Sequence, residues 1–196
     1  MDIIFGMTDM RKIQLLLVCL LSILSVQAQT SPQAKERVKE IRKLYAEAKE
    51  RMAYNDQEEY PAVTNMETTW YYMAPGAGPI KHYIKYYLST IETDEGEILR
   101  QTCYFVSDAY NSGARKIYEE YLLDEETGKL IFAYTYEENG DNTRNEGRYY
   151  FNKNGTLAHK DEKLNPEWET FAFANEAYVK QKAANLYKAM QLTTNF

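Results

Sequence analysis

The side chains of this 196-residue chain that could do acid–base, nucleophilic or metal chemistry are two histidines, two cysteines and scattered carboxylates. Their spacing limits what they can do. His82 alternates with Ile80, Ile84, Tyr86 and Leu88, which is one face of a strand. There an imidazole is expected to be a hydrogen-bonded histidine of the inner face rather than a metal ligand or a base. His159, beside Lys160 near a chain turn, is expected in solvent. Cys103 alternates with Leu99, Gln101 and Phe105 and reads as a small buried hydrophobe rather than a nucleophile. No His-x-x-x-His, Cys-x-x-Cys, glycine-rich phosphate loop or Gly-x-Ser-x-Gly elbow occurs. Those families are excluded, and no catalytic residue, metal ligand or cofactor is expected.

The carboxylates gather in three groups: Glu92, Asp94, Glu95 and Glu97; Asp124, Glu125 and Glu126; Glu137, Glu138 and Asp141. None has the ligand spacing of a calcium loop, although Glu138-Asn139-Gly140-Asp141 could bind an ion weakly. Solvated hairpin tips are the expectation for all three. A hydrolase using paired carboxylates is the alternative reading, since a glycosidase needs two such groups about 5 to 10 Å apart across a cleft.

Tyrosine is the compositional outlier, with eighteen copies. Its ring suits a half-buried pleated surface and can stack while the hydroxyl stays wet. Along residues 80–90 the face opposite His82 carries Lys81, Tyr83, Lys85 and Tyr87. If the neighbouring strand adds Arg100, Thr102 and Tyr104 on that side, the sheet presents a surface of tyrosines and cations suited to a glycan or a protein partner. The competing account has helices covering the sheet and tyrosines filling the space beneath them.

The elements that must carry these residues are legible from periodicity. Ser31 as N-cap and Pro32 at the first helical position open a helix. Ala34, Val38, Ile41, Tyr45, Ala48 and Met52 then form one apolar stripe, which predicts a helix to about Tyr54. From Met66 the period changes to two, and strands are predicted over 66–73, 80–90, 98–108, 115–123, 130–137, 146–152 and 156–160. The short links between them are rich in glycine and asparagine, which predicts antiparallel neighbours and a meander. Gly96-Glu97-Ile98, Gly128-Lys129-Leu130 and Gly155-Thr156-Leu157 repeat one turn-to-strand form. Ala172, Val179, Ala183, Leu186 and Met190 share a face, so 167–190 reads as a second amphipathic helix. The expected fold is α+β: a long N-terminal helix, a curved antiparallel meander of six or seven strands, and a C-terminal amphipathic helix packed on it.

The N-terminal segment predicts location. Met10-Arg11-Lys12, an apolar run from Ile13 to Leu24, then Ser25-Val26-Gln27-Ala28 follow the charged, apolar, small-residue order of a cleavable signal peptide. Its strongest stretch, Leu15 to Leu24, spans about 15 Å as a helix, half of a ~30 Å hydrocarbon core. Export to the periplasm or medium, no lasting membrane insertion, translation from Met10 and a single domain over 29–196 are the expectations. Cys19 would leave with the signal, so no internal disulfide is expected. A net charge of −6 without a basic block argues against nucleic acid as partner.

The stretch Gly147-Arg148-Tyr149-Tyr150-Phe151-Asn152-Lys153-Asn154-Gly155-Thr156-Leu157 resembles one unit of the MORN-like antiparallel repeats. A helix followed by a meander is also similar to cystatin-like and NTF2-like cones, a likeness of fold that implies no activity. By its signal, its tyrosine and asparagine content and its lack of motifs, the chain resembles the small exported proteins of Bacteroidetes-type bacteria. The function expected from all of this is non-catalytic binding of a glycan or protein in the cell envelope through the tyrosine-bearing face. The hydrolase above and a helix-mediated envelope assembly factor are the alternatives.

Overall fold

A computed structural model of the chain describes residues 31–55, 64–76, 78–92, 98–140, 143–165 and 175–194. The leader-like segment 10–28, the turn at Asp94-Glu95-Gly96 and residues 167–174 of the predicted second helix lie outside the described residues. The chain divides into two compact units, Met1–Lys35 and Glu36–Phe196. The sheet, the second helix and most of the first belong to the latter.

The order of elements is α1 (Pro32–Asn55), β1 (Thr64–Ala74), β2 (Gly78–Glu92), β3 (Ile98–Ser112), β4 (Arg115–Leu123), β5 (Leu130–Glu138), β6 (Arg144–Phe151), β7 (Leu157–Lys163) and α2 (Glu176–Thr194). The seven strands form one antiparallel sheet in sequence order. The fold is therefore the expected α+β meander between two helices. Ser31 caps α1, its Oγ accepting from Ala34 N–H at 3.1 Å. Asn175 caps α2 in the same way, accepting from Tyr178 N–H at 2.8 Å, so the described helix opens there.

The two helices cover opposite faces of the sheet. Val38, Ile41, Ala48 and Met52 of α1 pack with Tyr87, Tyr104, Phe105, Leu122, Phe132 and Tyr150. Val179, Ala183, Leu186 and Met190 of α2 pack with Tyr86, Leu88, Cys103, Val106, Tyr121, Tyr149 and Phe151. Adjacent pairs such as Tyr86/Tyr87 and Tyr149/Tyr150 point to opposite sides, as strand geometry demands. Burying a side chain the size of Ile41 or Phe105 contributes about 2 kcal/mol each.

Three expectations are corrected. Cys103 and Phe105 do not share a face, because β3 carries a bulge: Tyr87 pairs with Phe105 and Leu88 with Cys103, leaving Tyr104 unopposed. Tyr104 and Phe105 both turn toward α1, and from Val106 onward the parity of β3 is reversed. Glu137 is not a solvated tip residue but is fully buried, beside Arg115 at 3.1 Å. His159 lies on β7 opposite Tyr150, half-buried, with the ring centroids 5.8 Å apart. Cys103 is a buried free thiol as expected, and burial pushes its pKa up to about 12.

Candidate functional site

β4 is the middle strand, and its adjacent residues Glu119 and Glu120 point to opposite faces. Glu120 accepts from Lys49 Nζ at 2.8 Å, from Tyr118 at 2.6 Å and from Tyr45, tying α1 down. Glu119 accepts from Tyr178 at 2.9 Å, from Tyr121 at 3.0 Å and from Lys182, tying α2 down. Each carboxylate is buried with an ammonium and phenol donors around it, the arrangement under which a buried charge is tolerated.

On the α2 side this cluster extends. Lys182 Nζ also meets Asp108 Oδ2 at 2.7 Å, and Asp108 in turn holds His82 Nδ1 at 2.8 Å. Burial alone would lower the Lys182 pKa, but Glu119, Tyr110 and Asp108 hold it well above the ordinary lysine value. An ionised carboxylate only accepts, so Nδ1 of His82 carries the proton and donates. That leaves Nε2 of His82 buried and without a partner among the described residues. The imidazole packs on Tyr110 at 4.0 Å between centroids, with Trp70 at 5.2 Å and Tyr72 at 5.9 Å.

His82, Asp108, Lys182 and the rings around the imidazole line a cleft of about 710 Å³ between α2 and strands β1 to β3. That is within the range of small-molecule sites. Its walls are mainly apolar and aromatic, including Trp70, Tyr72, Tyr86 and Tyr110, with Gln181 and Asn185 of α2 among its polar groups. Trp70 is 56% exposed and Tyr72 is also open to solvent. Trp70 stands opposite His82 in the β1–β2 register, which places both on the α2 side of the hairpin.

The other face of the same hairpin carries a second group. Tyr71 pairs with Lys81 and Thr69 with Tyr83. Lys81 Nζ lies 5.3 Å from the Tyr71 centroid and 4.4 Å from that of Tyr83, within cation–π reach of both. Five of the seven large apolar side chains exposed among the described residues are Trp70, Tyr71, Tyr72, Met73 and Tyr83. Exposed rings are thus concentrated at one end of one hairpin, on both of its faces.

The residues singled out from sequence separate accordingly. Lys81 and Tyr83 sit together on this open end. Lys85 lies farther along β2, 3.7 Å from Glu67 Oε1 and over the Tyr87 ring. Tyr87 and Tyr104 are 5% and 1% exposed, packed beneath α1 with Arg51 stacked on the Tyr104 ring at 4.0 Å. The Arg100 side chain lies outside the described residues. Trp70, Tyr71, Tyr72, Asp108 and Lys182 were not singled out. Trp70, Tyr71 and Tyr72 form one of two runs of three consecutive aromatic residues, the other being Tyr149-Tyr150-Phe151, a signal available in sequence. Asp108 had no such signal, because its face depends on the bulge at Tyr104.

Fold and site together define an α+β meander, with a helix on each face and an aromatic-walled cleft at one edge. No family model, curated protein or solved structure matches the chain. Among the described residues, no helix is long and apolar enough to cross a membrane. Nor do three or more histidine, cysteine, aspartate or glutamate side chains converge in a way that could hold a metal ion.

Proposed function

We propose that this is an exported protein that binds a glycan at the aromatic end of the β1–β2 hairpin and performs no chemistry on it. The observation that carries this reading is the gathering of exposed Trp70, Tyr71, Tyr72 and Tyr83 on one hairpin, beside the cleft. The apolar C–H faces of sugar rings stack on aromatic rings, and their hydroxyls need hydrogen-bonding neighbours, which Lys81, Gln181 and Asn185 supply. Contiguous exposed apolar surface of this kind marks a recognition site. The leader-like segment 10–28 supports export, and envelope glycans lie where export delivers a protein. In this reading the sheet is curved, α2 is amphipathic, and the cleft opens between them.

The hydrolase alternative has a pair of carboxylates in Asp108 and Glu119, which meet at Lys182. All four of their oxygens already accept from His82, Lys182, Tyr178 or Tyr121. Such saturated carboxylates favour a structural role over catalysis. The assembly alternative would need the α1 stripe, and Ile41 and Ala48 of that stripe are already packed against the sheet.

Trp70→Ala with Tyr72→Ala tests the proposal. The double variant is expected to keep its circular dichroism spectrum, because both rings are exposed. It should lose at least about tenfold in affinity for the neutral gluco-, manno- or galacto-oligosaccharide that the wild type binds in calorimetry. Unchanged affinity would overturn the hairpin as the site. Wild-type binding to an extended peptide, with no oligosaccharide bound, would replace the glycan by a protein partner on the open edge of β1.

A further inference from the structure

We infer that the cleft takes an uncharged, hydroxyl-bearing ring, and that Nε2 of His82 receives a hydrogen bond from one of its hydroxyls. This rests on the hairpin being a glycan-binding surface and adds which class of sugar it takes and which atom reads it.

Three side-chain atoms among the described residues are buried without a hydrogen-bond partner: Nε2 of His82, the Tyr104 hydroxyl and Oε2 of Glu137. Of these residues only His82 lines the cleft. A buried polar atom left unpaired costs about 1 to 3 kcal/mol. His82 cannot relieve this by turning its ring over, because that would break the bond from Nδ1 to Asp108, and Asp108 is itself anchored by Lys182. The imidazole is thus held in one orientation and one tautomer. In the singly protonated imidazole the proton sits on Nδ1 against Asp108, and Nε2 offers a lone pair, which suits a ligand O–H.

Access to Nε2 is governed by the rings around it. Tyr110 lies against one side of the imidazole at 4.0 Å and belongs to an inner strand. Trp70 and Tyr72 belong to β1, an edge strand, and are exposed. Rotation of these two rings costs little packing and uncovers the imidazole. A sugar ring seated there stacks its C–H face on the displaced rings while its hydroxyl satisfies Nε2.

Charge selects among sugars. Among the cleft-lining residues the one fixed cation is Lys182, and its ammonium is held by both Asp108 and Glu119. A uronate or sugar phosphate entering here would meet the Asp108 carboxylate at the cleft wall, with Lys182, the one cation among the described lining residues, already engaged. The other polar lining is uncharged: threonine and tyrosine hydroxyls, and the amides of Gln181 and Asn185, which are joined to each other at 3.0 Å. They retain donors and acceptors for hydroxyls.

Calorimetry on the intact mature chain compares neutral gluco-, manno- and galacto-oligosaccharides with galacturonate oligomers. The wild type is expected to bind a neutral oligosaccharide and not the galacturonate. His82→Phe, which keeps a ring in the aromatic stack, is expected to weaken that binding about tenfold with its circular dichroism unchanged. If His82→Phe fails to fold, the nitrogen-15 resonance of Nε2 in the wild-type protein decides, and it is expected to shift on saturation with the neutral oligosaccharide. Full affinity in His82→Phe, an unmoved Nε2 resonance or a preference for galacturonate would overturn the inference. If Trp70→Ala with Tyr72→Ala abolishes binding while His82→Phe does not, the glycan surface stands and only the role of His82 falls.

Discussion

Glu119, Glu120 and Glu137 show how little a residue's type says about its surroundings. The first two are buried beneath opposite helices and fully engaged, while Glu137 is buried with Arg115 as its charged partner among the described residues. For Glu137 burial outweighs the guanidinium, and its pKa lies above the ordinary carboxylate value of 4.5. The folded state therefore binds this proton more tightly than the unfolded chain does. Its contribution to stability is complete below about pH 4.5 and is lost as pH rises through the folded value. Glu137→Gln mimics the protonated form at every pH. Its stability relative to wild type, measured by urea unfolding, is expected to rise as pH climbs above 4.5; a flat difference would show that burial does not dominate at this site.

At the level of elements, the β4–β5 connection joins the sheet to α2. Asp124 accepts from both the amide and the hydroxyl of Thr127, at 2.8 and 2.6 Å, and Gly128 follows with φ +67°. A Cβ at Gly128 would lie 2.3 Å from the Tyr187 ring of α2, whereas one at Gly155, with φ +81°, would meet nothing. Both substitutions to alanine carry the left-handed strain of about 1 to 2 kcal/mol. Only Gly128→Ala must also displace a packed ring, so it is expected to cost about 3 kcal/mol against about 1 for Gly155→Ala. Chemical denaturation of both, and of Gly128→Ala with Tyr187→Ala, separates strain from collision. Equal losses in the two single variants would mean that the ring moves aside freely.

Over the whole molecule, buried tyrosines tie the described core together. Burial raises the pKa of Tyr45, Tyr110, Tyr118, Tyr121, Tyr149 and Tyr178 well above 10, and nearby Glu119, Glu120 or Glu162 push in the same direction. Lys182 is raised as well. In every case the folded pKa exceeds the unfolded one, so the stability these groups supply is intact below about pH 10 and is lost as pH climbs beyond it. The protein is expected to unfold cooperatively in alkali, with tyrosinate absorbance and loss of circular dichroism rising together. Tyrosinate signals from all the rings well before unfolding would contradict a buried phenol core.

Local physics made the elements readable. Alternation marks a strand from its own residues, and glycine marks the turn that needs positive φ, so the ranges 115–123 and 130–137 agree closely with β4 and β5. The inner-face histidine and the buried cysteine follow from the same alternation. Which helix covers which face does not, because parity separates two sides without naming their neighbours. The site depended on one further event. Counting by twos from Cys103 puts Asp108 on the α1 side, but the unopposed Tyr104 reverses the parity and brings Asp108 to His82 and Lys182. A bulge is selected by the pairing of two strands rather than by either alone, so the polar end of the cleft came into view only with the assembled sheet.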